Sequence, residues 1–214
     1  MNANPVRETR FMLGKIEARA LTAGERAAGY IGAIAGFIPF ARDSRPLRDA
    51  AGKTFVERLA PGVFTRSLAD AKQVVFADVG HRAAATFARS GINLRLVETQ
   101  AGLSYTALLP DTSTGRDLRS NVRLGIISGT SFEFELRAGD AAAQAWEKRD
   151  ALPVRTIRSA ILHRVNPVTE PAYLETTLAA RALAAYEAGA AIPAAGIARA
   201  AEDRRATALR IFTR

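Results

Sequence analysis

The sequence contains no cysteine and only two histidines, His81 and His163. The absence of cysteine excludes disulfides, thiolate nucleophiles and the common zinc ribbons. Two histidines that lie far apart in the chain have no usual metal-ligand spacing, and no GxxxxGK or GxGxxG loop indicates a nucleotide site. We therefore expect neither a metal nor another cofactor.

Long hydrophobic runs are lacking as well. The N-terminal segment has no signal-peptide core, and no stretch nears the roughly 18 consecutive apolar residues that a membrane-spanning helix needs. These absences predict a soluble protein that is not secreted and has no membrane partner. Hydrophobic residues still make up 48% of the 214 residues, which is enough for the core of one domain.

Acidic residues are in the minority: 21 Asp and Glu face 30 Lys and Arg, which gives a formal net charge of +9. The basic residues are predominantly arginine and are spread along the chain, whereas a nucleic-acid-binding protein usually concentrates them on one element with aromatic residues between them. The pattern favours a solvated basic surface and predicts no specific nucleic-acid partner. Nucleic-acid binding stays open as an alternative, and its mark would be an affinity that falls steeply with salt.

Short apolar runs separated by turn residues predict several strands. The glycine-containing run at 28–37 suggests a curved strand, and QVVFADV suggests a buried strand that leads to His81. FVERLAPGVFTRSL reads as an extended segment, a turn at Pro61 and Gly62, and a short helix. NLRLVET and GLSYTALLP alternate like the two strands of a hairpin, and VRTIRSAILHRV makes one or two further strands.

Helices are expected in two other regions. Asp117 is a suitable cap for a helix that runs to Val122 or Leu124. Beyond Glu175 an alanine-rich pattern, interrupted at Gly189, predicts a helical tail.

The segment IISGTSFEFEL predicts a strand with two different faces. Ser131, Glu133 and Glu135 share one face of this strand. Phe132 and Phe134 share the other face, together with the leucine that follows them.

Ser131 is the candidate nucleophile on this strand. A serine hydroxyl is a poor nucleophile until a base takes its proton, so a hydrolase built on Ser131 would have to use His81 or His163. Without further information, however, a serine on a strand is more often a small surface or packing residue.

Several short motifs occur in a set order: FVERLAPGVFTRSL, a strand leading to His81, LRLVETQAGLSYTALLPDT, GIISGTSFEF and LHRVNPVTEPAY. In this order they resemble the prohead proteases of tailed phages, the capsid-maturation enzymes of phages and phage-derived particles. The likeness spans residues 25–180, and an ordered set of motifs is far more specific than any one of them.

The resemblance implies an α+β, mainly β fold. The expected architecture is a closed antiparallel β-barrel of the herpesvirus assembly protease type, surrounded by helices and followed by a C-terminal helical tail. The chain would divide into an N-terminal arm at residues 1–24, a prohead protease domain at 25–180 and an Ala/Arg-rich helical tail at 181–214.

The resemblance also implies the site of a serine endopeptidase. The family's serine falls on Ser131 and its histidine on His81, which would act as general base and then as general acid while backbone amides stabilise the oxyanion. The neighbours of His81 depart from the family, which often has Asn and Asp where this chain has Gly80 and Arg82. Glu133 stands where the family usually has glycine.

The third catalytic position departs further. The family typically has an acidic residue where this chain has Arg164, which can accept neither a proton nor a hydrogen bond. His163 is a candidate to replace it, because the herpesvirus relatives use a second histidine, but neighbouring strand residues face opposite sides and a local shift would be needed. Glu133 is another candidate to orient His81, or else a solvated surface residue.

The implied function is endopeptidase cleavage of the scaffold or of the N-terminal segment of the major capsid protein, and of the protease itself. It would take place inside the immature capsid of a phage or phage-like particle, in the cytoplasm of a bacterial host. A homodimer and a contact with the portal are further expectations. The alternative is a catalytically degenerate homologue that acts as a non-enzymatic internal assembly or scaffolding protein, as Arg164 and the altered neighbours of His81 suggest.

Overall fold

The structure, a computed structural model, describes residues 7–48, 52–137, 139–149 and 152–169, with the backbone alone for residues 7–15. The expected helical tail at 181–214 lies outside the described residues, as does the alanine-rich stretch that leads into it. The division of the chain into an arm, a protease domain and a tail stays a prediction.

The described residues are mostly β. The strands are β1 (Arg7–Arg19), β2 (Gly32–Pro39), β3 (Leu47–Arg48), β4 (Thr54–Leu59), β5 (Phe76–Asp78), β6 (Thr86–Arg89), β7 (Leu94–Glu98), β8 (Gly102–Leu109), β9 (Gly129–Glu135), β10 (Gln144–Arg149), β11 (Leu152–Ile157) and β12 (Ile161–Val168). The helices are α1 (Ala23–Ala27), α2 (Thr65–Leu68) and α3 (Ser113–Arg123), with 3₁₀ turns at Val79–His81, Ala83–Ala85 and Ala141–Ala143.

The strands form two open sheets. The larger has eight strands in the order β6-β5-β12-β9-β1-β2-β8-β7, and the smaller has four in the order β10-β11-β4-β3. Neighbours are antiparallel except for two parallel pairs, β5 with β12 and β4 with β11. Strand β9 lies inside the larger sheet, hydrogen-bonded to β1 on one side and to β12 on the other.

The closed barrel expected from the sequence is wrong. Its closure would need a ladder between the edge strands β6 and β7, but the described residues join these strands only through an isolated parallel bridge between Ser90 and Leu94. A short connection would permit an antiparallel hairpin, but the described residues show no such ladder between β6 and β7. The three described helices have 5, 4 and 11 residues, which is too little helix to surround the sheets.

Asn93 provides hydrogen bonds across the gap between these edges. Its side-chain amide donates to the carbonyl oxygens of Phe87 in β6 and Leu108 in β8, at 2.9 Å each. Its Oδ1 accepts from the backbone amide of Arg89 at 3.1 Å. Unpaired strand edges leave backbone donors and acceptors unsatisfied. The hydrogen bonds of this one side chain therefore locally replace those that a ladder would make.

Aromatic residues form much of the core beneath the larger sheet. Phe132 and Phe134 of β9 are fully buried, with ring centroids 5.6 Å apart. Phe64 meets Phe132 edge-on at 5.9 Å and also packs against Phe40 at 6.3 Å. The prediction that β9 presents aromatics to one side is confirmed.

Tyr105 is the largest buried polar side chain next to β9. Its ring occupies the space beside Gly36, where a Cβ would come within 2.2 Å of ring atoms, so this position requires glycine. The Tyr105 hydroxyl is 2.8 Å from Thr130 Oγ1. Burial raises the pKa of Tyr105 far above its usual range, against the opposing effect of the Thr130 hydrogen bond, so the phenol is neutral at physiological pH.

The local predictions have mixed outcomes. The β7–β8 hairpin and the order of β4, a turn and α2 are confirmed. Helix α3 begins earlier than expected, because the side chain of Thr112 rather than Asp117 caps it by accepting a hydrogen bond from the Gly115 amide at 3.1 Å. Gly115 permits this early start, since a Cβ there would lie 2.1 Å from the carbonyl oxygen of Pro110.

Replacing Asn93 with alanine is expected to lower the free energy of unfolding by about 1–3 kcal/mol, because backbone groups of β6 and β8 lose their partner. Urea denaturation measures this as a fall in the midpoint with an unchanged slope. Gln100→Ala, in the exposed β7–β8 turn, is the matched control, with an expected change within about 0.5 kcal/mol. Equal midpoints for the two variants would contradict the role of Asn93.

Candidate active site

Strand β9 presents Ser131 and Glu133 on the face opposite its buried aromatics. Phe132 and Phe134 are fully buried on the core side, and the two-residue period of a strand then fixes the residues between and beside them on the other side. Ser131 pairs with Asn166 of β12 in the ladder. The serine is therefore held by hydrogen-bonded strands on both sides, not by a loop.

His81 comes from the turn that follows β5. Strand β5 runs parallel to β12, and its end is bonded to Asn166, the residue that pairs with Ser131. The backbone then turns through Gly80 at φ 62° and His81 at φ 61°. A left-handed conformation is uncommon at a non-glycine residue and costs on the order of 1–3 kcal/mol. The surrounding structure therefore holds His81 in a conformation that it would not adopt by itself.

The His81 ring is hydrogen-bonded at both nitrogens. Nε2 lies 2.8 Å from Ser131 Oγ, and Nδ1 lies 2.9 Å from Glu133 Oε1. Because a carboxylate can only accept a hydrogen bond, Nδ1 carries the hydrogen, and in the neutral ring Nε2 accepts from the Ser131 hydroxyl. This arrangement can take the proton of Ser131 and stabilise the imidazolium that results.

The three side chains are largely shielded from water. Ser131 is fully buried, and the side chains of His81 and Glu133 are 17% and 15% exposed. Charge interactions are stronger in such surroundings than in bulk water, and so is the cost of leaving a charge without a partner.

A second charged group lies directly beside Glu133. Arg164 Nε is 3.4 Å from Glu133 Oε2, and its Nη1 donates to Asp78 Oδ2. Asp78 is fully buried, and its Oδ1 and backbone carbonyl also accept from Asn166 Nδ2, the latter at 3.2 Å. The ion pairs and hydrogen bonds thus connect Glu133 through Arg164 and Asp78 to the strand residue that pairs with Ser131.

His163 lies at a different carboxylate from the one that contacts His81. A register shift in β12 occurs between Leu162 and Arg164, so the strand is bulged at His163. His163 Nε2 is 3.2 Å from Glu135 Oε2, while Arg164 reaches Glu133. Both side chains therefore approach the same face of β9, which neighbouring residues of a regular strand would not do.

The structure brings together two of the three residues singled out from the sequence, Ser131 and His81. Glu133, named as an alternative orienting group, is bonded to Nδ1 of His81, the atom at which the third member of a triad acts. His163 is paired with Glu135.

Sequence reasoning missed Asp78 and Asn166. Asp78 follows two apolar residues in β5, and Asn166 lies between Val165 and Pro167 in β12, which is a weak sign of a buried polar contact. The two residues lie 88 positions apart in the sequence. A local sequence pattern cannot indicate a contact between residues so far apart.

The described residues contain neither a cluster of metal ligands nor a membrane-spanning helix. No group of three His, Cys, Asp or Glu side chains in that part of the chain could hold a metal ion. No helix there combines the length and the apolar character needed to cross a membrane.

The family comparison agrees with the resemblance seen in the sequence. The family described as caudovirus prohead serine protease matches residues 13–188. Among solved structures, the bacteriophage T4 capsid assembly protease gp21 is similar with a TM-score of 0.48 and 12% sequence identity, over 78% of this chain and 99% of that chain. No curated protein matches the chain. Because the family match covers most of the chain, including β5, β9 and β12, the chain belongs to the caudovirus prohead serine proteases.

Proposed function

We propose that this chain is an active serine endopeptidase with Ser131 as nucleophile, His81 as general base and Glu133 as the third member of the triad. The observation that carries the proposal is the continuous hydrogen-bonded series from Ser131 Oγ through the His81 ring to Glu133 Oε1, with contacts of 2.8 and 2.9 Å. A triad is recognised by such geometry and not by the position of its members in the sequence.

In the proposed reaction Ser131 Oγ attacks the carbonyl carbon of the scissile peptide bond while its proton moves to His81 Nε2. Glu133 holds the ring through Nδ1–H and stabilises the imidazolium. The tetrahedral intermediate then collapses, and His81 gives the proton to the leaving amine. Water, activated by the same histidine, hydrolyses the acyl-enzyme. Because Ser131 is fully buried, a substrate carbonyl reaches it only after a local opening.

Membership of the family supports a proposal for the substrate. We infer that the protease cleaves the scaffold or the N-terminal segment of the major capsid protein, together with its own chain, inside the procapsid of a phage or phage-like particle. A homodimer and a portal contact belong to the same proposal. The support for the capsid context is the family match over residues 13–188.

The degenerate, non-enzymatic alternative was suggested by Arg164 at a position where the family is acidic. The geometry weakens this suggestion, because a carboxylate contacts His81 Nδ1 from a different position, Glu133. Arg164 does not take the place of that carboxylate but lies behind it, 3.4 Å from its other oxygen.

Co-expression with the major capsid protein of the same particle tests the activity. Wild-type protease is expected to shorten the capsid protein, as measured by intact mass, and Ser131→Ala and His81→Gln are expected to leave it at full length because each removes an essential triad member. Unchanged masses in a wild type that assembles particles would support the non-enzymatic role instead.

Glu133→Gln and His163→Ala separate the two candidates for the third triad member. Glu133→Gln is expected to reduce kcat on the order of ten-thousand-fold, since an amide no longer enforces the correct imidazole tautomer. His163→Ala is expected to keep kcat within roughly threefold of wild type, because its partner is Glu135. The measurement is the rate of capsid-protein cleavage by purified, folded variants. The opposite ranking would assign the third position to His163.

A further inference from the structure

Arg164 lies between two carboxylates that have very different surroundings. Its Nη1 donates to Asp78, which is fully buried, and its Nε is 3.4 Å from Glu133 Oε2, in a side chain that is 15% exposed. Arg164 itself is 20% exposed, and its guanidinium carbon lies 5.6 Å from the centre of the Phe76 ring. One rigid, planar cation therefore contacts both the interior and the candidate triad.

Glu133 needs such a contact to stay in place. A glutamate on the face of a strand has several freely rotating bonds, and holding one rotamer costs side-chain entropy. Oε1 accepts from His81, and the ion pair with Arg164 engages Oε2. With both oxygens engaged, the carboxylate is directed toward the ring instead of toward solvent.

Asp78 in turn holds the guanidinium. A buried carboxylate is stable only when it is paired and hydrogen-bonded, and Asp78 meets this need through Arg164 and Asn166. Two carboxylates and one guanidinium leave a net negative charge beside His81, which favours an imidazolium there.

We propose that Arg164 is a positioning residue of the triad: it fixes the Glu133 carboxylate against His81 Nδ1 and is itself fixed by the buried Asp78. This inference rests on the proposed function of Ser131, His81 and Glu133. The Asp78–Arg164 pair is thus a support for the carboxylate, in addition to being a buried ion pair.

The test must separate positioning from folding. Arg164→Met removes the guanidinium but keeps an unbranched apolar side chain, and it leaves Asp78 buried without a cation, so a large loss of thermal stability is expected. The double variant D78N/R164M removes both charges and is expected to recover most of that stability. The exposed pair of Asp43 and Arg149, in which Asp43 also contacts Arg58, supplies the matched control, D43N/R149M.

Cleavage kinetics of the folded double variant then decide the role. The substrate is a peptide that spans the cleavage site mapped by intact mass. D78N/R164M is expected to lose about 100-fold in kcat, with KM within roughly twofold of wild type, because the Glu133 carboxylate is no longer held against His81. D43N/R149M should match wild type. A double variant with wild-type kcat would overturn the proposal and leave Arg164 as a partner for Asp78 alone.

Non-additivity gives a second criterion. If Arg164 acts through Glu133, adding D78N/R164M to Glu133→Gln should cause little further loss of kcat, since the group that is positioned has already lost its charge. Independent, multiplying losses would contradict the proposal.

A readout without turnover separates this inference from the proposed function. The Nδ1 proton of His81, bonded to Glu133, is expected to give a low-field proton NMR signal in the wild type and in D43N/R149M, and to be lost or broadened in D78N/R164M. A signal that is present in the wild type and lost in D78N/R164M, with no cleavage by the wild type, would refute the proposed function while supporting Arg164 as a positioning residue. An unchanged signal in D78N/R164M would refute the positioning role whether or not the enzyme cleaves.

Discussion

The alternation of side chains along β9 is the constraint on which the site depends. Phe132 and Phe134 are held in the aromatic core, and a shift of the strand by one residue would move them to the opposite face. The same register therefore sets the hydrophobic core and the position of Ser131 and Glu133. Core packing and site geometry cannot vary independently in this fold, because one strand with a two-residue period specifies both.

Charge compensation is the second organising principle. The carboxylate that contacts His81 comes from the serine's own strand, and the cation behind it comes from β12. Two residues depart from the pattern expected of the family, an acidic residue at 133 and a basic residue at 164. Each departure looks damaging when taken singly, but the two side chains lie next to each other and have opposite charge. A triad requires a fixed acceptor at Nδ1, and Glu133 is placed where it can supply one.

Local sequence patterns were sufficient to predict the secondary-structure elements but not the long-range contacts between them. The period of two in β9, the hairpin of β7 and β8 and the pairing of Ser131 with His81 could be anticipated, the last through the order of motifs. The failed barrel closure depends on whether β6 and β7, which are consecutive in the chain but lie at opposite edges of the sheet, pair with each other. The contacts of His163 depend on a bulge in β12, and those of Asp78 depend on a register across 86 and 88 residues. None of these leaves a local sequence pattern.

The position of β12 in the sheet also has a consequence for the timing of biosynthesis. Strand β12 lies between β5, which leads to His81, and β9, which carries Ser131, yet it is the last of the described strands to be translated. While a chain is still emerging from the ribosome, His81 and Ser131 belong to segments whose shared neighbour, β12, has not yet been synthesised. Folding of the long-range contacts has to wait for it. The order of strands thus delays the contact between His81 and Ser131 until the last described strand of the sheet has been made.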